Sequence, residues 1–479
     1  MKLKRFAIYL ILVTVSIVFY SCSGSSGYKK DSQISSNGVP SFPREFRGAW
    51  SACIYNLDWP TSRGMSVQAQ KGQLLGILNR MEEMNMNALI FQVRPHGDAV
   101  YSSNLEPWSS WLTGSMGRHP GYDPLAYCVQ QAHARGIEVH AWFNPFRALP
   151  NANMPTSSNH ISRTRPDLVK THAGYKWMDI SKSATRKHAL NVISDVVARY
   201  DIDGVHLDDY FYPYPKKGYG PFPDGKSSAQ RRGYVDSFVK NLYQSVKSQK
   251  PWVRVGISPF GIWRPGVPAG IEAGLDAYEQ LSADSRKWLK NGWVDYLMPQ
   301  LYWRDYPQKQ SFSALLGWWR QQGSRPVWPG MATTRIHSSE DPGRPASEIT
   351  RQVELSRQIG RNWVGHAHWS VKSLMQNKGG VSTALVRGAY STPALVPPMP
   401  WVNASKPEAP EGQRQVNRIT WNTKNAHLVA VQVKQAGQWL PYDVVPAYKG
   451  QITLPMGVTS AAIRSVDRFG NVSEPVIIE

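Results

Sequence analysis

The chain has 479 residues, 41% hydrophobic and 19% charged, with 55 Lys and Arg against 34 Asp and Glu for a formal charge of +21. That length exceeds one ordinary domain of about 150 residues, and the apolar content excludes a globally disordered chain. Three cysteines without a Cys-x-x-Cys pair exclude a zinc ribbon or a disulfide scaffold, and the basic excess points to an anionic partner. The 19 Trp and 22 Tyr carry flat apolar bodies with polar tips, which suit sugar rings as well as cores.

The amino end reads as a targeting segment. Lys2, Lys4 and Arg5 precede an apolar run from Phe6 to Tyr20. As a helix that run would rise about 22 Å, short of the ~30 Å of a bilayer core, so a signal peptide is expected and not a spanning helix. It closes on Ser21-Cys22 before a Ser/Gly-rich stretch, and this resembles a lipoprotein signal in which Cys22 receives the lipid. Phe19 stands where that motif prefers Leu. Residues 1–22 are expected to be the signal and lipidation site, and 23–43 a flexible tether. Cys53 and Cys128 fall in a predicted strand and helix and are expected as buried free thiols.

From Phe46 onward, strand and helix patterns alternate. Phe46–Ile54 opens the series, followed by a helical stripe of Leu74, Leu75, Leu78, Met81 and Met84. Strand two is Asn87–Arg94, and the helix after it stops at Gly136. Strand three is Ile137–Asn144 and strand four Gly204–Asp208, with the helix Ala189–Tyr200 between them. A long helix, Ala229–Ser248, leads to strand five, Val253–Ser258. Strands six to eight are Val294–Gln300, Val327–Met331 and Trp363–Ala367, each after a helical stretch. Eight such units predict an α/β fold, a closed (β/α)8 TIM barrel over residues 44–390. No GxGxxG follows the first strand, which argues against an open dinucleotide-binding sheet. The Pro-, Asn- and Ser-rich crossover from Asn144 to Ala184 leaves a C-terminal strand end, so it is expected to line the cleft.

Pro393, Pro397, Pro398 and Pro400 mark a stiff linker over 391–406. Beyond it, Arg418–Trp421, Val429–Val433, Gln451–Leu454 and Ala461–Arg464 are short runs between turn residues with no helical period. Residues 407–479 are expected to form a small all-β sandwich, and Ser465–Glu474 resembles the last strand of a fibronectin type III domain.

Polar residues recur where the barrel strands end, the place from which barrel enzymes draw their catalytic groups. Strand two ends with Gln92, Arg94, His96 and Asp98, and strand three with His140, Trp142 and Asn144. Strand four ends with His206, Asp208, Asp209 and Tyr210, strand five with Ser258, strand six with Gln300, Tyr302 and Trp303, and strand eight with His366 and His368. Each alone fits a cap or a satisfied buried group; six of eight ends together predict a sugar-sized polar pocket. Alternation puts His206, Asp208 and Tyr210 on one face of strand four and Leu207 and Asp209 on the other. Leu207 suits the outer helices, so Asp208 is expected inward and Asp209 outward or at the rim. His366 and His368 lack a third zinc ligand by spacing, and neither a P-loop nor a G-x-S-x-G elbow occurs. No metal and no cofactor is expected.

Three stretches resemble the glycosyl hydrolase-like family ten barrels: Phe46–Trp50 with Asn56–Pro60, Phe91–Ala99 with Glu106–Ser109, and Trp142–Arg147. So do Gly204–Pro213 and Met298–Trp303. The resemblance implies an exported glycosidase of the bacterial envelope, commonly a lipoprotein, acting on peptidoglycan glycan. It is more distant to chitinase-type barrels, whose Asp-Gly-x-Asp-x-Asp-x-Glu motif overlies Asp203–Tyr210. His206 and Tyr210 replace an Asp and the acid Glu there, so substrate-assisted cleavage does not carry over whole. Asp208 also matches the nucleophile position of amylase-type barrels.

The expected partners are an anionic glycan and, through the lipid, a membrane, the outer one; nucleic acid is not expected for an exported chain. Asp208 is the expected stabiliser or nucleophile, with Asp209, Asp98 and Asp284 as candidates for the acid. Gln92, Arg94, His96, His140, Trp142, Asn144, His206, Tyr210, Ser258, Gln300, Tyr302, Trp303 and His366 are the expected sugar-binding residues. The rival expectation is a glycan-binding lipoprotein that has lost catalysis, for which the missing Glu at position 210 speaks.

Overall fold

The computed structural model describes residue 35 and residues 37–479. The expected signal segment and Cys22 lie outside the described residues. Eight parallel strands form the first body: β1 (Phe46–Ser51), β2 (Ala88–Arg94), β3 (Glu138–Phe143), β4 (Gly204–Leu207), β5 (Arg254–Ile257), β6 (Tyr296–Leu297), β7 (Gly330–Met331) and β8 (Gly365–His368). Each pairs with its neighbour in chain order and β8 returns to β1. Parallel bridges Leu297–Val327 and Gln300–Gly330 join β6 to β7 and close the TIM barrel. The two short strands have a chemical cause. Pro299, Pro326 and Pro329 have no N–H to give a ladder, so the expected runs 294–300 and 327–331 pair only in pieces.

The helices α1 (Val67–Glu83), α2 (Pro124–His133), α3 (Ser183–Arg199), α4 (Ser228–Gln249), α5 (Ser285–Lys290), α6 (Phe312–Arg320), α7 (Ala346–Gly360) and α8 (Val381–Arg387) surround the strands. Local chemistry starts several of them. The Ser66 hydroxyl accepts from the Ala69 N–H at α1, and Asp123 does so from Ala126 at α2, where Pro124 pre-sets the first turn. Ser227 and Gln230 form a reciprocal capping box at α4. α1 then buries Leu74, Ile77, Leu78 and Met81, one helical stripe, against the sheet. Cys53 and Cys128 are buried free thiols.

Packed side chains fill the barrel interior. The Phe46 ring stacks on Trp328 at 4.2 Å and Tyr296 on Trp328 at 4.9 Å. Gly256 makes room for them, because a Cβ there would fall 1.9 Å from the Tyr296 ring. Above this plug the strands open toward their C-terminal ends. Between β3 and α3 the chain adds an antiparallel sheet of Arg147–Leu149, Val169–His172 and Tyr175–Met178, with the last strand in the middle.

The second body has seven strands: β9 (Glu411–Gln415), β10 (Arg418–Asn422), β11 (Leu428–Gln435), β12 (Gln438–Pro446), β13 (Gln451–Thr453), β14 (Val458–Val466) and β15 (Val476–Ile478). They form two antiparallel sheets, β9-β10-β13 and β12-β11-β14-β15, around Ile419, Trp421, Val431, Val433 and Ile463. This body and the linker before it meet the barrel where the strands begin. Arg468 pairs with Asp201 and Asp203 before β4, the Arg254 guanidinium at β5 donates to the Pro397 carbonyl, and the Trp401 indole donates to Asp295 before β6. The opposite, C-terminal end of the barrel is left open.

Candidate active site

A cavity of about 590 Å³ occupies that open end. Trp50, Gln92, Trp142, Asn144, Asp208, Tyr210, Ser258, Gln300, Tyr302 and Trp369 line it from successive strand ends. The inserted sheet supplies Arg147, Tyr175 and Trp177 on one side, and the loop after β4 adds Tyr214 and Lys216. The expectation that the Asn144–Ala184 crossover lines the cleft therefore matches the geometry.

A chain of hydrogen bonds with one allowed direction aims Asp208. The backbone N–H groups of Cys53 and Ile54 both donate to Gln92 Oε1 at 3.0 Å. That fixes the Gln92 amide, whose Nε2 donates to Asn144 Oδ1 at 2.8 Å. Asn144 Nδ2 then donates to Asp208 Oδ2 at 2.5 Å. The Tyr210 N–H adds a contact to Asp208 Oδ1 at 3.3 Å. An amide nitrogen can only donate, so Asp208 accepts, and the relay favours its ionised form. Burial pushes the Asp208 carboxyl above its ordinary range, against the pull of Arg147 and Asn144.

Asp209 is only 1% exposed, so it does not sit at a solvated rim as alternation had suggested. Strand β4 ends at Leu207, and past that point strict alternation no longer applies. Its carboxyl accepts from the Tyr214 hydroxyl, and Tyr214 itself lines the cavity. Burial, then the charge of Asp208, push Asp209 up to about 7. Two neighbouring carboxyls resist double ionisation. The bond from Asn144 favours the charge on Asp208 and so the proton on Asp209.

The Arg147 guanidinium sits over the Tyr210 ring, its Cζ 3.5 Å from the centroid, and Trp177 stacks with Tyr210 at 6.4 Å between ring centroids. The Lys216 ammonium donates to the Ala173 carbonyl at 3.1 Å. Two cations thus face the cavity beside one carboxylate.

Of the expected residues, Gln92, Trp142, Asn144, Asp208, Tyr210, Ser258, Gln300 and Tyr302 meet in this cavity, and the others go elsewhere for definite reasons. A register shift between Gln92 and Arg94 turns Arg94 away. Its guanidinium grips Glu106 with two bonds of 2.7 and 2.5 Å and donates to the Asn144 carbonyl. Asp98 is folded into the loop after β2, where it accepts the His96 N–H at 3.0 Å; burial pushes it up to about 6, but it does not line the cavity. His96 is buried in the same loop, its carbonyl facing His160. Asp284 caps α5 by accepting the Lys287 N–H, so it serves a helix start and not the cleft.

His140 and His206 lie one layer lower. The Trp50 indole N–H donates to His206 Nε2 at 3.2 Å, so His206 carries its proton on Nδ1 and donates to the Tyr296 hydroxyl at 2.9 Å. The Tyr296 hydroxyl is then free to donate to His140 Nδ1 at 2.9 Å, and His140 Nε2 reaches Glu138 at 3.0 Å. Both histidines thus belong to a satisfied interior line that holds Trp50 in place. Trp303 packs edge-on against Phe260 at 5.7 Å, outside the cavity. His366 faces the helix layer, hydrogen-bonded to Tyr390, because Gly365 takes the interior position against Trp328.

Sequence reasoning missed Trp50, Tyr55, Arg147, Tyr175, Trp177, Tyr214, Lys216 and Trp369 as lining residues. Arg147 closes the run Trp142–Arg147, and Tyr214 ends the aromatic run Tyr210–Tyr214, so a signal existed for both. Nothing in the spacing marked Tyr175 or Trp177, which arrive through the inserted sheet.

Known proteins match this chain in the following way. The family model "Glycosyl hydrolase-like 10" matches residues 45–338. The chain is 38% identical over 417 residues to "Glycosyl hydrolase YngK" of Bacillus subtilis (strain 168), covering 82% of this chain and 80% of that protein. It is 30% identical over 345 residues to "Glycosyl hydrolase DigH" of Escherichia coli (strain K12), covering 64% of this chain and 78% of that protein. Among solved structures, the PgaB (BpsB) glycoside hydrolase domain from Bordetella bronchiseptica aligns at TM-score 0.48 and 12% identity, over 72% of this chain and 98% of that one. An endo-1,4-beta-D-mannanase from Thermotoga petrophila RKU-1 aligns at TM-score 0.44 and 13% identity, over 69% of this chain and 88% of that one.

Proposed function

The chain belongs to the glycosyl hydrolase-like 10 family, and from that premise we propose that its cavity hydrolyses a glycosidic bond of an amino-sugar polymer, the glycan strand of peptidoglycan. The observation that carries the reading is the neighbouring carboxyl pair, Asp208 held to accept by Asn144 and Asp209 pushed up to about 7. Glycosidic cleavage needs one group that donates a proton to the leaving oxygen and one that stabilises or attacks the anomeric carbon. Asp208 faces the cavity and takes the second role. Asp209 keeps a proton near neutral pH and hands it on through the Tyr214 hydroxyl, which touches Asp209 and faces the cavity. When Asp209 is protonated its own O–H donates to the Tyr214 oxygen, which frees the Tyr214 O–H to point at the leaving oxygen. Tyr214 gives that proton as it receives the one from Asp209, so no charge is left on the phenol, and the water that completes hydrolysis returns a proton to Asp209 by the same path.

The substrate class is supported by the lining. Trp142, Trp177 and Trp369 offer faces to sugar rings, and Gln300 and Tyr302 offer polar groups to hydroxyl or acetamido substituents. Arg147 and Lys216 suit a carboxylate such as the lactyl group of muramic acid. The Ser21-Cys22 motif supports export and lipid anchoring in the bacterial envelope, on the outer membrane. The three-plus-four strand order supports a fibronectin type III-like C-terminal module.

Incubation with peptide-free and peptide-bearing peptidoglycan, with mass spectrometry of the fragments, tests the activity. New reducing ends from peptide-free strands are expected; binding without any product would instead favour the non-catalytic reading suggested by Tyr210 in place of an acid. Cys22→Ala is expected to lose the lipid and move to the soluble fraction.

A further inference from the structure

A second groove adjoins the active-site cavity. It has a volume of about 810 Å³ and is lined by Tyr55, Thr61, Arg63, Trp111, Asn151 and Met154 among others. Tyr55 lines both spaces, which adjoin at that one side chain. Tyr55 is 55% exposed, unusual for so large a ring beside a cleft.

Its presentation is built in. Tyr55 and Asn56 both take left-handed backbone angles, φ 55° and 53°, which cost energy for residues with a side chain. Asn56 holds the bend by donating from Nδ2 to the Pro60 carbonyl at 2.8 Å and to the Trp111 carbonyl at 3.0 Å. The Tyr55 ring meets Trp111 edge-on at 5.2 Å, and the Arg63 guanidinium lies over the Trp111 ring at 4.1 Å. Among the described residues Arg63 forms no ion pair, and it is exposed. The groove therefore offers an aromatic ridge, amides and a hydroxyl, and a cation without a carboxylate partner. That repeats the chemistry of the central cavity, where Arg147 covers Tyr210.

We propose that this groove is a second glycan subsite. It holds units of the same anionic strand beyond the scissile bond, with Tyr55 as the ridge between units, so cleavage falls within strands and not at their ends. The proposal rests on the hydrolase reading of the central cavity. Arg63 takes an acidic substituent of the outlying unit; Thr61 and Asn151 reach its hydroxyl and acetamido groups.

The test uses peptide-free glycan oligomers of increasing length. In the full chain, kcat/KM is expected to rise with length past what the central cavity holds. Arg63→Glu is expected to cleave the shortest substrate within two-fold of the parent and to lose several-fold on long oligomers, mainly in KM. Early products from long strands are expected to be internal fragments. A flat length dependence in the parent, or an Arg63→Glu effect equal at all lengths, would overturn the subsite while leaving the hydrolase intact. If the parent cleaves no oligomer, the hydrolase reading fails, and calorimetric binding of the same oligomers still decides the groove. Affinity that rises with length and collapses in Arg63→Glu upholds the groove; affinity independent of length overturns it.

Discussion

At the level of single residues, two adjacent carboxyls divide one charge between them. The relay Gln92–Asn144 favours the carboxylate at Asp208, and burial with that charge raises Asp209 to about 7. Activity needs Asp208 ionised and Asp209 protonated. The pH profile of kcat/KM should therefore be bell-shaped, with the alkaline limb near 7 and set by Asp209. Asp209→Asn should lower the rate and remove that limb, which a rate–pH series on peptide-free glycan would show. The same shift sets a sign for stability. A carboxyl raised in the folded state binds protons that the unfolded chain has released, so it destabilises as pH rises from about 4 toward 7. Asp209→Asn should thus melt higher than the parent at pH 7 and gain less at pH 4, read from melting temperatures at both. An unchanged difference would contradict the raised value.

Several of these residues were legible in the sequence and some were not. Alternation along strand four gave Asp208 its inward place, because Leu207 beside it needs the helix layer. The same rule failed for Arg94, where a bulge turns the chain, and for His366, where Gly365 holds the interior. Periodicity cannot see either event, since a bulge changes the count and a glycine has no side chain to betray its face.

At the scale of elements, the site is assembled by loops that leave a rigid barrel. The bend after β1 supplies the two N–H groups that start the relay, β2 and β3 carry it, and β4 ends on Asp208. Arg94 and Glu106 brace this arrangement from behind, both almost fully buried, with His188 on the same carboxylate. Removing one member of a buried pair strands the other charge, at a typical cost of about 3–5 kcal/mol. Arg94→Met should lower the free energy of unfolding by that order. A residue that bound sugar would instead weaken KM and spare stability, so equilibrium unfolding beside kinetics separates the roles. The eight strand–helix units could be read from apolar runs and caps. The inserted sheet could be read only as a long crossover, because its pairing joins residues far apart in a segment of mixed polarity.

At the scale of the molecule, the C-terminal module closes the end of the barrel opposite the cavity. His133 on α2 bonds to Asp203 at 2.7 Å, and Arg468 of the module reaches Asp201 and Asp203. Asp203 holds His133 above its ordinary value against burial, and His133 draws Asp203 down in turn. The raised His133 stabilises fully below about 6.5 and loses this as pH climbs through its folded value; the lowered Asp203 stabilises above about 4 and loses this in acid. The junction should hold best between those limits. Arg468 attracts Asp203 but repels a protonated His133, so Arg468→Ala should cost more at pH 8, where His133 is neutral, than at pH 5, and proteolysis of the linker at both values would report it. The excess charge of +21 belongs to this scale too. If it guides an anionic strand, affinity should fall as salt shortens screening to about 8 Å, and amidating the polymer's carboxyls should flatten that dependence.

Whether the chemistry sits on Asp208 is decided by turnover of peptide-free glycan by Asp208→Asn, with melting temperature taken on the same samples. Asparagine keeps the size and removes the charge that meets the developing positive centre. A loss of at least about 10²–10³ in kcat with a melting temperature no lower than the parent's is the expected result. Turnover within a few-fold of the parent would contradict the account and move the chemistry away from strand β4.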